Sequence, residues 1–233
     1  MPLIPEVYQA TDDRMMQFTN GMNAFFGGAL YLQYGSTTAL ANSTTETTLF
    51  NNTPNNIAAY VFGQNLGQPN DISSLTIVGN PNGIGSSLSG WIPGTMYRIK
   101  LYGSIGNTGT PTLRIRTVLR NSNSNAIVYT ISDSTALTMS TITGTGDFQY
   151  ECDVMAVSIG SNAAGTFTLG SVKTRALLDY AISTVSRGFL STPWTTTAID
   201  TTQPYYFDVL ATWGTASSSN TITTQVGLMR AEG

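Results

Sequence analysis

Glu151 and Asp153 flank Cys152, the one cysteine of the chain, in the run FQYECDVMAV. On a strand, residues two apart project to the same face. This spacing therefore sets two carboxylates side by side and turns the thiol to the other face. Two carboxylates can ligate a cation or cleave a glycosidic bond. Cleavage requires them to flank a cleft about 5–9 Å apart, and near neighbours on one strand do not face each other across a substrate. The pair is expected to face solvent or to make a subunit contact with an arginine. Cys152 is expected to be a buried, inert thiol.

The chain contains no histidine, so the commonest general base and metal ligand is missing. Neither a Ser–His–Asp nor a Cys–His arrangement can be built. The glycine-rich string at 79–90, GNPNGIGSSLSG, lacks the lysine and following helix of a phosphate loop. No catalytic residue, metal site or cofactor is expected, and an enzyme is not.

Five of the ten basic residues fall within 23 positions. Arg114, Arg116 and Arg120 lie on one face of TLRIRTVLR, and Arg98 and Lys100 in TMYRIKLYG extend the set. Together they predict a basic stripe that docks an acidic partner or a neighbouring subunit. The competing expectation is a solvated outer sheet face that deters edge pairing. Net charge is −3, which argues against a nucleic-acid partner. Trp91 in SGWIPG and Trp194 in STPWTT lie in loop-like contexts and form the candidate glycan contacts. Trp213 ends an alternating strand and is expected in the core.

The elements that must carry these residues are strands. Thr (36), Gly (23), Ser (22) and Asn (17) make up 98 of 233 residues, and only 10% of the chain is charged. With 41% hydrophobic residues the chain is not of a disordered composition. Strands are predicted at 44–50, 57–62, 74–78, 95–105, 112–120, 126–131, 148–159, 167–178, 205–213 and 221–229. Alternation is clean in several: Tyr97, Ile99 and Leu101; Leu113, Ile115, Thr117 and Leu119; Tyr205, Phe207, Val209, Ala211 and Trp213; Ile222, Thr224, Val226 and Leu228. Such half-apolar strands suit antiparallel sheets with one covered face. Gly/Asn/Ser/Thr clusters between them are connectors. The expected fold is all-β, an antiparallel two-sheet jelly-roll or β-sandwich, as one domain over residues 36–233.

Residues 1–35 differ. They hold four of the eight methionines and clustered aromatics without a steady period. They are read as an extended N-terminal arm whose apolar residues, Tyr8, Met15, Met16, Phe18, Met22, Phe25 and Phe26, lie along a neighbouring subunit or another protein. The alternative is an irregular first strand. No apolar run reaches the roughly 18 residues of a membrane span, no signal peptide is read at the start of the chain, and no membrane partner is expected.

The stretch WIPGTMYRIKLYGSIGNTGTPTLRIRTVLR (91–120), the lead STTETTLF (43–50) and the closing YYFDVLATWGTASSSNTITTQVGLMR (205–230) together resemble the jelly-roll virion structural proteins of tailed bacteriophages. The resemblance implies a non-enzymatic capsid decoration or cement protein. It would be a homotrimer bound across junctions of the major capsid protein, on the capsid surface of a virion. The alternative it implies is a receptor-binding tip of a tail or head fibre, contacting a host-surface glycan. It carries no catalytic residues onto this chain.

Overall fold

The computed structural model describes residues 26–34, 39–50, 93–121, 124, 126–163, 166–182, 186–201 and 205–232. In chain order the strands are β1 (Phe26–Tyr34), β2 (Leu40–Ala41), β3 (Thr47–Thr48), β4 (Met96–Asn107) and β5 (Thr112–Asn121). Next come β6 (Ile127–Asp133), β7 (Leu137–Thr138), β8 (Gly144–Ser158), β9 (Ser161–Ala163) and β10 (Thr166–Thr168). Then follow β11 (Gly170–Ile182), β12 (Ser186–Ser191), β13 (Thr195–Ile199), β14 (Tyr205–Trp213) and β15 (Thr221–Glu232). Among the described residues no helix is long and apolar enough to cross a membrane.

Two antiparallel sheets pack as a sandwich. The larger runs β1-β15-β4-β8-β11-β12, with β13 also on β11 and β2 on β15; the smaller runs β3-β14-β5-β6, with β7 on β5. The chain crosses to the small sheet for β3 and back for β4, then changes sheet between β4 and β5, between β7 and β8, between β13 and β14, and again into β15. The alternation explains the packing. Tyr97, Ile99, Leu101, Tyr150, Cys152 and Leu178 of the large sheet are buried against Leu113, Ile115, Phe207, Val209 and Trp213 of the small one. The rings of Tyr97 and Phe207 meet across the interface at 5.9 Å. Thr117 Oγ1 and Tyr150 OH share a buried hydrogen bond of 2.6 Å between the sheets, which satisfies both hydroxyls in the core.

Expectation and structure diverge in four places. First, residues 26–34, assigned above to the arm, are an edge strand on β15. Phe26 stands opposite Glu232, so the alternative of a first strand holds for this part. Second, the face shared by Ile222, Thr224, Val226 and Leu228 breaks. The register with β4 slips between Thr224 and Val226, which leaves Gln225 as an extra residue. A bulge of one residue reverses the parity that follows. Val226 accordingly turns outward, and Met229 becomes the buried residue. Third, the strand expected at 44–50 shrinks to β3, and that at 167–178 divides into β10 and β11 around the exposed Leu169. Fourth, the short β2, β7 and β9 and the longer β12 and β13 lie where no strand was expected. The strands predicted at 57–62 and 74–78 lie outside the described residues.

Candidate functional site

The outer face of the large sheet carries the carboxylate pair. The register sets Asp153 of β8 between Arg98 of β4 and Arg175 of β11, and Glu151 beside Lys100. Arg98 Nε donates to Asp153 Oδ1 at 2.7 Å, and Arg175 Nη2 donates to Asp153 Oδ2 at 2.9 Å. Glu151 lies 2.8 Å from Lys100 Nζ and 3.3 Å from Arg98 Nε. Asp153 points away from the core yet is only 2% exposed. Its charge is matched by two guanidinium groups, as burial of a carboxylate requires. Trp194, just before β13, lies 5.2 Å from the Arg175 guanidinium, ring under cation. Glu151 and Asp153 are thus held by cations across the ladder. Among the described residues no group of three or more His, Cys, Asp or Glu side chains converges as a metal site.

Cys152 faces inward and is fully buried, and desolvation pushes its thiol up to about 12. At neutral pH it carries no thiolate, in keeping with an inert cysteine.

The outer face of the small sheet is paired as well. Arg114 Nε donates to Asp133 Oδ1 at 2.9 Å, and its Nη2 donates to Oδ2. Arg116 forks onto Glu46, with Nε 2.7 Å from Oε1, and its Nη1 donates to Thr130 Oγ1 at 3.0 Å. Arg120 Nε donates to Asp208 Oδ2 at 2.7 Å, while Thr48 Oγ1 donates to Oδ1 at 2.5 Å. The hydrogen bonds from Arg114 hold the Asp133 carboxyl below its ordinary range. Desolvation raises that of Asp208 despite Arg120 and Thr48.

The predicted basic stripe is therefore not one surface. Arg98 and Lys100 belong to the large sheet, and Arg114, Arg116 and Arg120 to the small one. Because β4 and β5 lie in different layers, outward residues of the two strands face opposite sides of the sandwich. All five are engaged by carboxylates of this chain. Of the glycan candidates, Trp194 is 42% exposed with one face toward Arg175. Trp91 lies outside the described residues. So do Tyr8, Met15, Met16, Phe18, Met22 and Phe25.

Sequence reading missed a cleft of about 430 Å³ at the end of the sandwich where β6 faces β12 and β13. One wall is the end of β6 with the turn Ser134–Thr135; the other runs from Leu190 to Thr197. Thr174 Oγ1 of β11 donates to the Ile131 carbonyl of β6 and lies 3.2 Å from Thr195 Oγ1 of β13. These bonds tie the two sheets together at the cleft. The only advance signal was the density of Thr and Ser in these segments.

No protein-family model and no curated protein matches the chain. Among solved structures, a legume lectin-like domain from Entamoeba histolytica is similar at 10% identity, with a TM-score of 0.22, over 61% of this chain and 74% of that one. The fold assignment here rests on the strand pairing.

Proposed function

We propose that the protein is a non-enzymatic structural protein of a phage virion, a trimeric subunit that decorates the capsid by binding across junctions of the major capsid protein. The observation that carries this reading is that the five basic residues of β4 and β5, spread over both outer faces, are all matched by carboxylates of this chain. Leaving a charge buried and unpaired in an interface is costly. Side chains already paired within their own chain carry less of that cost when another protein surface covers them. Exposed apolar side chains on the large sheet, among them Tyr102, Val226 and Phe189, supply area that association removes from water at about 25 cal/mol per Å². The apolar sequence of residues 1–25 runs directly into the edge strand β1, a point from which it can reach a neighbour. The resemblance of residues 43–230 to phage virion proteins favours the same reading. Small association energies repeated over many capsid sites sum to a stabilised shell, even after the cost of binding each subunit.

The test is the solution mass by light scattering, followed by co-sedimentation with purified undecorated capsids. A trimer that co-sediments, and ceases to do so when residues 1–25 are deleted, is the expected result. A protein that stays in the supernatant overturns the reading. Retained binding by the truncation overturns the role of residues 1–25.

A further inference from the structure

We infer that the cleft between β6 and the β12–β13 segment is a binding site for a neutral mono- or disaccharide. Its volume of about 430 Å³ falls within the roughly 300–1,000 Å³ of small-ligand sites. Its chemistry selects the class. Asp133 lines the cleft, but its charge is offset by the forked bond from Arg114, so neither a cation nor an anion is favoured. Asp133 Oδ1 accepts from Arg114 Nε and from the Thr135 amide, whereas Oδ2 accepts from Arg114 Nη2. A carboxylate accepts about four hydrogen bonds, so Oδ2 retains room for a sugar hydroxyl.

The opposite wall supplies the complement. The hydroxyls of Ser191 and Thr197 line the cleft and make no hydrogen bond among the described residues. Each can both donate and accept, as a ring of sugar hydroxyls demands. Leu190 and Pro193 offer the apolar surface that the C–H face of a pyranose needs.

The site is also built in advance. Thr192 Oγ1 accepts from the Ala176 amide at 2.8 Å and fixes one wall. Thr135 sits at φ 57°, a left-handed conformation that is unfavourable for a β-branched residue. Asp133 holds it there through the Thr135 amide at 2.8 Å. Backbone strain of this kind persists where surrounding contacts impose it. The inference does not depend on capsid binding and stands or falls separately.

The test is saturation-transfer NMR on the full chain with glucose, galactose, N-acetylglucosamine, lactose and maltose, with glycerol as the polyol control. Transfer to the ring protons of at least one sugar and none to glycerol is expected. Thr197→Val removes one hydroxyl at nearly constant shape and should weaken that signal about tenfold, the worth of one well-made hydrogen bond. Ser191→Phe, at an exposed position, fills the cleft and should abolish it; it serves as the second variant should Thr197→Val fail to fold. Silence from every sugar, equal transfer to glycerol, or an undiminished signal in the folded variants overturns the assignment.

Discussion

Gly103 of β4 faces Thr223 of β15 so closely that a methyl group on Gly103 would sit 1.9 Å from the Thr223 carbonyl oxygen. The close approach falls beside the bulge at Gln225, where β15 changes parity. The same methyl group would meet Phe148 Cε1 at 2.9 Å, so the aromatic ring lies over the space a side chain would fill. Gly103→Ala is therefore expected to force the β4–β15 ladder apart. A cost of about 1–3 kcal/mol is expected, as for overpacking of a core, read as a lowered denaturation midpoint. An unchanged midpoint would mean that the bulge is not held in place by this contact.

That bulge also marks a limit of sequence reading. The alternation in β4, β5 and β14 was visible because each strand buries one face along its length. In β15 the same pattern pointed to Val226 and Leu228, and both were misplaced. The cause lies in the pairing with β4, which leaves no mark on the local pattern. β12 and β13 escaped notice for a different reason. They lie at the sheet edge and bury little, with Phe189 64% exposed and Thr195 and Thr196 also open to solvent, so no hydrophobic period marks them. The basic residues were seen, but not their partners. Glu46 and Asp208 lie 70 and 88 positions from the arginines they meet. The crossing between β4 and β5 sent neighbours in sequence to opposite sides. The cleft depends on the same long-range pairing.

Asp153 and Glu151 are two residues apart on one strand, yet they should differ in cost when neutralised. Asp153 is buried and shared by two arginines. Asp153→Asn takes the shared carboxylate from between Arg98 and Arg175 and should cost about 1–3 kcal/mol, in the range for hydrogen bonds to charged groups. Glu151→Gln removes a partly exposed pair and should cost less than about 1 kcal/mol. Urea denaturation of both variants ranks them, and equal costs would show that burial does not set the difference.

The two perturbed aspartates predict opposite pH dependences. Asp133 has a folded pKa below its unfolded value of about 3.9. Its contribution is fully present above that unfolded value and is lost as pH falls through the lowered folded one. Asp208 has a folded pKa above the unfolded value. The folded state then binds the proton more readily, so its contribution grows as pH falls through the raised value toward about 4. The stability of the parent minus that of Asp133→Asn should stay level from neutral pH to about 4 and then decline. The parent minus Asp208→Asn should rise over that first interval. Denaturation curves across the acid range decide it, and slopes of the same sign in the two differences would contradict the assignment.

Arg114 and Asp133 allow a separation of docking from stability. Arg114→Glu alone sets a carboxylate against Asp133 and should destabilise the β5–β6 ladder by up to about 1 kcal/mol, the range of exposed pairs. Loss of assembly in that variant would then have two explanations. Exchanging the partners, Arg114→Asp with Asp133→Arg, restores an opposite-charge pair on the diagonal, beside the register position where Asp133 stands opposite Arg116, and reverses the local polarity. Stability should recover only in part, because Asp133→Arg places a second cation opposite Arg116 and gives up the acceptor of the Thr135 amide. If both outer faces meet their partner as neutral surfaces, capsid binding and oligomeric mass should return with it. Recovery of stability without recovery of binding would instead show that the guanidinium of Arg114 is read directly by the partner, and the basic residues of β5 would then be a docking element.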